Sequence, residues 1–376
     1  MEQSEKEICI VIYLPTEHLR EMARTVQDHV GPKAVVLIYH RVVDDIPDPQ
    51  RMRVSPENFS EQMKALTDMT CPVPVEEILD RLKDRSQDDL PLSAVTFDDG
   101  YADNLTFAAP ILSGYGIPAT VFVAAGAIGQ SGEFWWDDLE RILLRPDLPD
   151  ELTLRIGEET RTWSFREDDA RLNSGWDVYM NPRLTSQKAY LYIACRMRSL
   201  SVEEQQKTIE QLHRWSGIDA RARDSFRALT EDQLKQISEG ELISIGAHTI
   251  NHPVLANLSS DSQFFEINTS RQRLEKLLGA EVKTFAYPYG RGIDYCHSTV
   301  QCLRKAGFAC ACTTIPHLIG RWTDALQMSR FSVGNWNGGV FRKNLAEFML
   351  INSQNNTCRG AGNPCNDENS VREGVS

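Results

Sequence analysis

Short apolar runs alternate with amphipathic segments along most of the chain. The run at 34–39, Ala-Val-Val-Leu-Ile-Tyr, is apolar on both faces, which is typical of a strand buried in a parallel sheet. Further runs predict strands at 92–97, 120–124, 242–247, 284–287, 308–313 and 328–333. Parallel strands joined by helices form either a barrel or an open doubly wound sheet, so the chain is predicted to be an α/β protein.

Helix signals lie between several of these strands. Ser55 followed by Pro56 is typical of a helix start, as cap and first residue. We also predict helices at 264–278 and 298–306, and an amphipathic helix at 17–30 ahead of the first strand. Because the carboxyl ends of parallel strands meet at one face of a sheet, ligand groups at those ends are expected to gather there.

The interval at about 131–229 breaks the alternation, because it is long, polar and rich in tryptophan. It contains two predicted helices, 187–200 and 201–217, and we interpret it as an insertion that forms a substrate-facing cap. The predicted organisation is therefore an N-terminal segment and helix (1–32), a main domain (33–351) carrying this insertion, and a tail (352–376). The tail is polar and rich in Gly and Asn, so it is predicted to be disordered.

Composition narrows the classes of protein to consider. With 376 residues, 41% hydrophobic and 25% charged, the chain can bury a full core. The net charge of -13 disfavours nucleic acid as a partner, since phosphate binding needs a basic face. No apolar run approaches the roughly 20 residues of a membrane helix. The acidic start lacks the features of a secretory signal, and nine cysteines without a regular framework favour a reducing compartment, so we expect a cytoplasmic protein.

Two acidic residues, Asp98 and Asp99, follow the predicted strand at 92–97 and precede Gly100. Neighbouring residues in a strand point to opposite faces, so both carboxylates can serve one site only if the strand ends there. Gly100 permits such an end by freeing the backbone. On these residues alone, an ordinary Asp-Gly turn is an equally good interpretation.

Two histidines, His248 and His252, follow the predicted strand at 242–247 and precede Pro253. On a helical turn, residues four apart share a face, so both imidazoles could reach one cation. Zinc binds imidazole nitrogen, and its catalytic sites usually have three protein ligands, a count that two His and one Asp would meet. Two ordinary loop histidines are the alternative, and the spacing at a strand end favours the metal site.

Other candidates have weaker patterns. His40 ends the first predicted strand and could be a proton donor at the same face, or a hydrogen-bonded core residue. We expect His213 to be structural, and His297 and His317 have no evident partner. A second metal site could be drawn from Cys296, His297, Cys302, Cys310 and Cys312. Their spacings match no zinc pattern, so we interpret the cysteines as packed small hydrophobes.

The segments Thr-Phe-Asp-Asp-Gly (96–100) and His-Thr-Ile-Asn-His-Pro (248–253) resemble the first two motifs of the polysaccharide deacetylases of the NodB-homology type, carbohydrate esterase family 4. The resemblance implies a distorted (β/α)7 barrel with a large insertion. It implies Asp98 as general base and Asp99, His248 and His252 as ligands of a divalent metal. Zinc fits these ligands best, and Co²⁺, Ni²⁺ or Fe²⁺ would also suit them. The implied partner is an N-acetylated glycan or sugar precursor.

The third motif departs from the family pattern. Phe-Ala-Tyr-Pro-Tyr-Gly (285–290) resembles the form in poly-N-acetylglucosamine deacetylases, and Ala286 stands where an arginine usually contacts the base. Arg330 is a candidate replacement. By the same resemblance the Tyr289 backbone N–H would hold the oxyanion. The usual C-terminal histidine segment is absent, and the Tyr-His segment at 39–40 implies His40 as general acid.

Three functions remain open at this stage. The first is metal-dependent removal of acetyl groups from N-acetylated sugar units of a polysaccharide or its precursor. The second keeps the metal site but acts on an O-acetyl ester, an N-formyl sugar or a non-sugar amide. The third is a catalytically inactive glycan-binding protein, against which the intact set Asp98, Asp99, His248 and His252 argues.

Overall fold

The structure is a computed structural model that describes residues 33–44, 46–86, 89–166, 168, 173–240 and 242–350. The helix predicted at 17–30 and the tail predicted at 352–376 lie outside the described residues. No helix within the described ranges is both long enough and apolar enough to cross a membrane.

A curled sheet of parallel strands forms the centre of the molecule. The strands are β1 Ala34–Tyr39, β2 Arg41–Val42, β3 Arg53–Val54, β4 Cys71–Pro72, β5 Leu92–Phe97, β6 Ala119–Val123, β7 Glu151–Ile156, β8 Glu159–Ser164, β9 Ile243–Ala247, β10 Thr284–Ala286, β11 Cys310–Cys312 and β12 Phe331–Ser332. The order in the main sheet is β11-β10-β9-β6-β5-β1-β12, and β4 pairs with the start of β5. Two short pairs, β2 with β3 and β7 with β8, lie outside it.

The two edges of the main sheet approach each other just before β12. Met328 forms a parallel bridge with Cys312, its N–H donating to the Ala311 carbonyl at 2.8 Å. The Thr313 N–H donates back to the Met328 carbonyl at 2.8 Å. These bonds join the segment leading into β12 to the edge strand β11, and the predicted α/β barrel class is confirmed.

Helices cover the outside of the sheet and build the insertion. They are α1 Pro56–Met69, α2 Ile78–Lys83, α3 Ala109–Tyr115, α4 Trp135–Leu143, α5 Thr185–Met197, α6 Val202–Ser216, α7 Glu231–Ser238, α8 Ser260–Leu278, α9 His297–Ala306 and α10 Gly338–Leu350. The predicted start at Ser55 and Pro56 is confirmed, since the Ser55 side chain accepts from the Asn58 N–H at 3.2 Å. The helices predicted at 264–278 and 298–306 are present as α8 and α9.

All seven predicted strands are present, and two have the predicted bounds. The largest errors are at 328–333, where only Phe331–Ser332 is a strand, and at 308–313, where only Cys310–Cys312 is one. The Phe308 N–H donates to the Leu303 carbonyl at 3.2 Å, so Phe308 completes the end of α9 instead of pairing with the sheet. An apolar run does not show which of its first residues hydrogen-bond to the preceding helix instead of joining the strand.

Strand β1 is buried on both faces, as its continuous apolar run predicts. Val35, Leu37 and Tyr39 pack in the layer between sheet and helices, while Ala34 and Val36 belong to a second cluster that includes residues of several other strands. The alternation of faces along a strand produces these two layers from one apolar run.

The interval at 131–229 forms a compact group with its own apolar core. Helix α4 packs against α5 and α6, and Leu139, Leu152, Tyr190 and Leu212 are buried together there. The hairpin of β7 and β8 was not predicted. Its signal was the alternation of buried and exposed residues over β7, followed by a tight turn at Gly157 with φ 59°.

Candidate active site

A cavity of about 380 Å³ opens at the carboxyl ends of the parallel strands. All six residues singled out for the site occur in its lining or beside it: His40, Asp98, Asp99, His248, His252 and Tyr289. Side chains from the insertion complete the cavity, among them Trp135, Trp136, Tyr190 and Arg198. The sequence-predicted residues are therefore brought together by the fold.

Asp98 and Asp99 share the site because β5 ends at Phe97. Asp99 has a φ of 72° and Gly100 a φ of 83°, so two successive residues are in the left-handed region. A Cβ on Gly100 would also lie 2.9 Å from the Val123 Cγ1 atom, so any other residue there would be strained and would displace the Val123 side chain. The Asp-Gly turn and the paired carboxylates were alternatives in the sequence, and the structure contains both.

The histidine segment does not form the expected helical turn. Thr249 and His252 have φ values of 64° and 55°, and residues 248–254 are not helical. The Glu266 carboxylate accepts from the N–H groups of residues 250–251 at 2.9 and 3.0 Å, and the Thr249 hydroxyl accepts from the His252 N–H at 3.0 Å. These side-chain acceptors hold an irregular loop in which His248 and His252 still converge.

Asp99, His248 and His252 present donor atoms that all lie within 4.8 Å of one another. The Asp99 Oδ1 atom is 3.6 Å from the His248 Nε2 atom and 3.5 Å from the His252 Nε2 atom. Two donors at about 2.1 Å from one ion, at a tetrahedral angle of about 109°, lie roughly 3.4 Å apart. The three side chains therefore fit a tetrahedral cation such as zinc.

The orientation of His248 is fixed by a backbone acceptor. Its Nδ1 atom lies 2.7 Å from the Ala286 carbonyl oxygen, and only a protonated Nδ1 can donate to a carbonyl. The lone pair then lies on Nε2, the atom that faces Asp99. Burial lowers the pKa of His248, which further favours the neutral imidazole that a metal needs.

Arg330 is fully buried and lies against Asp98. Its two terminal nitrogens each donate to one Asp98 oxygen at 2.7 Å, and it also donates to Thr96 Oγ1 at 3.1 Å and to the Thr313 carbonyl at 2.9 Å. Burial alone would raise the pKa of Asp98, but Arg330 and His248 outweigh it and lower the pKa to about 2. Asp98 is therefore an anion at neutral pH.

Asp99 has the opposite electrostatic environment. Burial, the adjacent Asp98 charge and Asp137 raise its pKa well above the ordinary value. A carboxylate in this position binds a proton or a cation to offset the local negative charge. Of these two adjacent carboxylates, Asp98 is paired with Arg330, and Asp99 is available to bind a metal.

His40 follows β1 and lines the cavity with partial exposure. The Asp98 N–H donates to the Tyr39 carbonyl at 3.0 Å, which aligns the ends of β1 and β5. Burial and the nearby Arg330 lower the pKa of His40 to about 4, although Asp98 acts in the other direction. His40 is therefore neutral at neutral pH in this structure.

Tyr289 adopts a φ of 60° within a tight turn, in which the Gly290 N–H donates to the Pro288 carbonyl at 2.7 Å. The Tyr289 ring centroid lies 4.7 Å from the ring centroid of His252. The Arg198 guanidinium lies over the same Tyr289 ring, 4.1 Å from its centroid. The ring contact with His252 places the Tyr289 side chain beside the metal-donor cluster, in the lining of the same cavity.

The insertion contributes site residues that the sequence analysis did not name. Trp136 packs on the ligand candidate His252 with ring centroids 5.1 Å apart. The Trp136 indole N–H donates to the Tyr101 hydroxyl at 2.7 Å, and this hydroxyl donates to Asp137 Oδ2 at 2.7 Å. Consecutive aromatic and acidic residues at 134–138 were the available signal for this network.

The remaining histidines and cysteines do not form a second metal site among the described residues. His213 lies 3.3 Å from Asp138 and 3.2 Å from the Ile218 carbonyl, as a structural residue would. The packing interpretation is correct for the buried residues Cys302, Cys310 and Cys312. It is wrong for Cys296, which is exposed at the start of α9.

Comparison with known proteins agrees with this geometry. Residues 86–148 and 199–311 match the family model described as "Polysaccharide deacetylase". A segment of 93 residues is 31% identical to the Bacillus subtilis protein named "Putative polysaccharide deacetylase YxkH". That segment covers 25% of this chain and 32% of the relative, so the chain spans about a third of that relative's length.

Solved structures share the fold. The Streptococcus pyogenes deacetylase PplD, in complex with acetate, aligns with a TM-score of 0.52 at 19% identity, over 85% of this chain and 99% of that one. IcaB from Ammonifex degensii aligns with a TM-score of 0.51 at 20% identity, over 85% and 97%. The two segments that match the family model contain both carboxylates and both histidines of the site, so the likeness to polysaccharide deacetylases includes the metal-donor cluster.

Proposed function

We propose that this protein is a metal-dependent deacetylase that removes acetyl groups from N-acetylated sugar units of a polysaccharide or its precursor. The observation that carries the proposal is the adjacency of two differently charged sites in one cavity. Asp99, His248 and His252 form a cation site, and Asp98 beside them is held as an anion by Arg330.

Asp99, His248 and His252 would hold the divalent cation. Bound there, the cation supplies Lewis acid chemistry, polarising the acetyl carbonyl and lowering the pKa of water. Zinc suits two imidazoles and one carboxylate, and Co²⁺, Ni²⁺ or Fe²⁺ could occupy the same donors.

Asp98 is assigned as the general base, since it is ionised and borders the cation site. Its Oδ2 atom is 3.9 Å from His248 Nε2, one of the donor atoms of the cation site, so Asp98 can take a proton from a water that attacks the carbonyl at this site. The Arg330 contact keeps this carboxylate oriented, and it takes the place of the arginine that Ala286 replaces.

The carbonyl oxygen becomes negatively charged during attack and needs a donor. We assign this role to the Tyr289 backbone N–H, because Tyr289 lines the same cavity as the cation site and an oriented N–H stabilises an oxyanion without reorganising.

His40 is assigned as the general acid that protonates the departing amine. It is neutral in this structure, with a pKa of about 4, so it must gain a proton during the reaction cycle. The proton taken from water by Asp98 is the available source, because both side chains border the same cavity.

The first experiment measures acetate release after metal reconstitution. Oligomers of N-acetylglucosamine test the amide reaction, and acetylated xylan tests the ester alternative. Release from the oligomers is expected to exceed release from xylan. Binding of oligomers without any acetate release would instead support the inactive glycan-binding protein.

The Asp98→Asn variant tests the base in the same assay. The amide cannot accept a proton from water, so turnover should be lost, while the ligands Asp99, His248 and His252 remain and metal content stays normal. Near-normal turnover in Asp98→Asn would contradict the base assignment.

A further inference from the structure

Helix α5 of the insertion presents a second side to the cavity of the candidate active site. On its first side, Ile193 and Met197 are fully buried in the core of the insertion. Leu191, Ala194 and Arg198, the last of which directly follows the helix, line the cavity and remain half-buried. Residues spaced three and four apart share one side of a helix, so a single side of α5 faces the cavity with two apolar residues and one cation.

Apolar side chains of two other segments continue this wall. Met52 and Val178 line the same cavity and are half-buried, and the Val178 N–H donates to the Pro49 carbonyl at 2.9 Å, which joins the two segments. Tyr179 also lines the cavity and is 66% exposed, and Met180 beside it is 46% exposed. Apolar side chains therefore extend from inside the cavity to the surface of the protein. Such a wall favours an apolar group over a hydroxyl-bearing one.

The cation at the end of α5 connects this wall with the metal-donor cluster. The Arg198 guanidinium lies over the Tyr289 ring, which also contacts His252. Among the described residues, its one carboxylate partner is Asp294 at 3.0 Å, and Asp294 also pairs with Arg291 at 2.9 Å. Arg198 thus shares its counter-charge with a second guanidinium, while its own side chain is 23% exposed. A guanidinium in this position can bind an anionic oxygen, and phosphate matches its geometry well.

The acidic residues of the cavity do not oppose an anion at Arg198. Among the described residues, the carboxylates in the lining are Asp98 and Asp99. Asp98 is paired with Arg330 through both of its oxygens, and Asp99 is a ligand candidate for the cation. Once the cation is bound, both negative charges are offset.

We propose that the cavity binds an N-acetylated sugar that is joined through a phosphate to an apolar lipid chain. The acetamide would lie at the cation site, the phosphate at Arg198, and the first part of the chain along Leu191 and Val178. The spacing along α5 supports this order, because seven residues of helix from Arg198 to Leu191 extend about 10 Å from the cation along the wall. The bond that breaks is still the acetamide carbon–nitrogen bond, and the phosphate and the chain serve only in binding.

This inference rests on the proposed function and names the class of its substrate, a lipid-linked sugar precursor. The test uses zinc-reconstituted protein and four derivatives of N-acetylglucosamine that differ only at the anomeric carbon. They are the methyl glycoside, the decyl glycoside, the methyl phosphodiester and the decyl phosphodiester, each kept below the concentration at which micelles form. The measured quantity is kcat/KM for acetate release.

For the unaltered protein, replacing methyl by decyl should raise kcat/KM about tenfold or more, since burial of about two methylene groups gives an increase of this size. Replacing the glycoside by the phosphodiester should also raise it about tenfold, through a charge-assisted contact with Arg198. The decyl phosphodiester is therefore expected to be the best of the four substrates.

The Leu191→Asn variant tests the apolar wall. Its decyl-to-methyl ratio of kcat/KM should fall toward one, because a polar side chain then faces the lipid chain. The matched control is Tyr192→Asn, the next residue on α5, which is half-buried against the Trp163 ring at 5.7 Å and does not line the cavity. The control should keep the ratio of the unaltered protein.

The Arg198→Gln variant tests the phosphate contact. Its phosphodiester-to-glycoside ratio of kcat/KM should fall toward one, and a ratio taken within one variant cancels any effect transmitted through Tyr289 to both substrates. Arg196→Gln is the control, because Arg196 pairs with Glu159 at 3.6 Å and does not line the cavity. Its ratio should remain that of the unaltered protein.

Binding separates this inference from the proposed function. The zinc-loaded Asp98→Asn variant should bind the decyl phosphodiester about tenfold more tightly than the methyl phosphodiester, as measured by calorimetry. If none of the four derivatives yields acetate but this preference is present, the deacetylase function is wrong and the lipid site stands. If acetate is released and the unaltered protein gains from the phosphate alone, or from the chain alone, the lipid-phosphate assignment is overturned.

Discussion

Replacing Arg330 by Met tests the central electrostatic feature of the site. Asp98 is buried, and its two oxygens accept from the Arg330 guanidinium at 2.7 Å. Met fills similar volume but leaves the Asp98 carboxylate buried without its cation. Removing one partner of a buried pair costs about 3–5 kcal/mol of stability. The lowering of the Asp98 pKa from 3.8 to about 2 corresponds to roughly 2.5 kcal/mol of this.

The sign of the pH dependence follows from that lowered pKa. Asp98 in the folded protein has a lower pKa than in the unfolded chain, so its contribution to stability is present above about pH 4. It is lost as the pH falls through about 2. The Arg330→Met variant should therefore differ most from the unaltered protein near neutral pH, and the difference should shrink on acidification.

Two assays check the reasoning on Arg330→Met. Urea unfolding at pH 7 should show the loss of about 3–5 kcal/mol. The acid limb of the kcat/KM profile for acetate release should also move to higher pH by more than one unit, because burial then raises the pKa of Asp98 without the opposing effect of Arg330. Arg342→Met, which breaks the half-exposed pair with Asp68, is the matched control and should cost at most about 1 kcal/mol. Equal losses in the two variants, with an unmoved acid limb, would refute the assignment.

Three further predictions concern neighbouring groups. Asp99→Ala removes one of three donors and should lower zinc content after dialysis toward zero, measured by elemental analysis; full retention would exclude the proposed ligand set. His40→Ala should slow acetamide hydrolysis about 100-fold or more, with little effect on an aryl acetate whose phenolate leaves unprotonated; equal slowing of both would argue against an acid. Burial raises the pKa of Asp137 to about 7, so its contribution to stability is full below about pH 4 and is lost as the pH rises through about 7. Asp137→Asn should reduce the fall in unfolding free energy over that window, and an unchanged slope would count against this cause.

The strands, and the polar residues that directly follow them, could be predicted from the sequence because both depend on local patterns. Strands such as β1 and β5 are continuous apolar runs, and a run buried on both faces has few alternatives. Polar residues directly after such runs had to lie at one face of the sheet. The ends of β11 and β12 were less accessible, since Phe308 caps a helix through one backbone hydrogen bond that no residue pattern announces.

The metal-ligand candidates could be predicted from the sequence, but most of the residues that hold them in position could not. Arg330 was a candidate for the missing arginine without any sequence pattern that linked it to Asp98, since 232 positions separate the two residues. Its burial and bidentate contact depend on how β12 closes onto β1, which is a property of the whole barrel. The Trp136–Tyr101–Asp137 network joins the insertion to the barrel in the same way, and therefore could not be read from local spacing.

Backbone strain connects the fold to the chemistry. Five residues other than glycine have positive φ among those described, and four of them lie at the site: Asp99, Thr249, His252 and Tyr289. Each such position costs on the order of 1–3 kcal/mol and persists only where its surroundings fix it. Here the surroundings are identifiable, since Glu266 holds the histidine loop and β5 ends just ahead of Asp99. Glu266→Gln alters neither histidine, and it should still loosen the loop that carries His248 and His252. If ordinary turns alone assembled the site, the substitution would leave this loop unchanged.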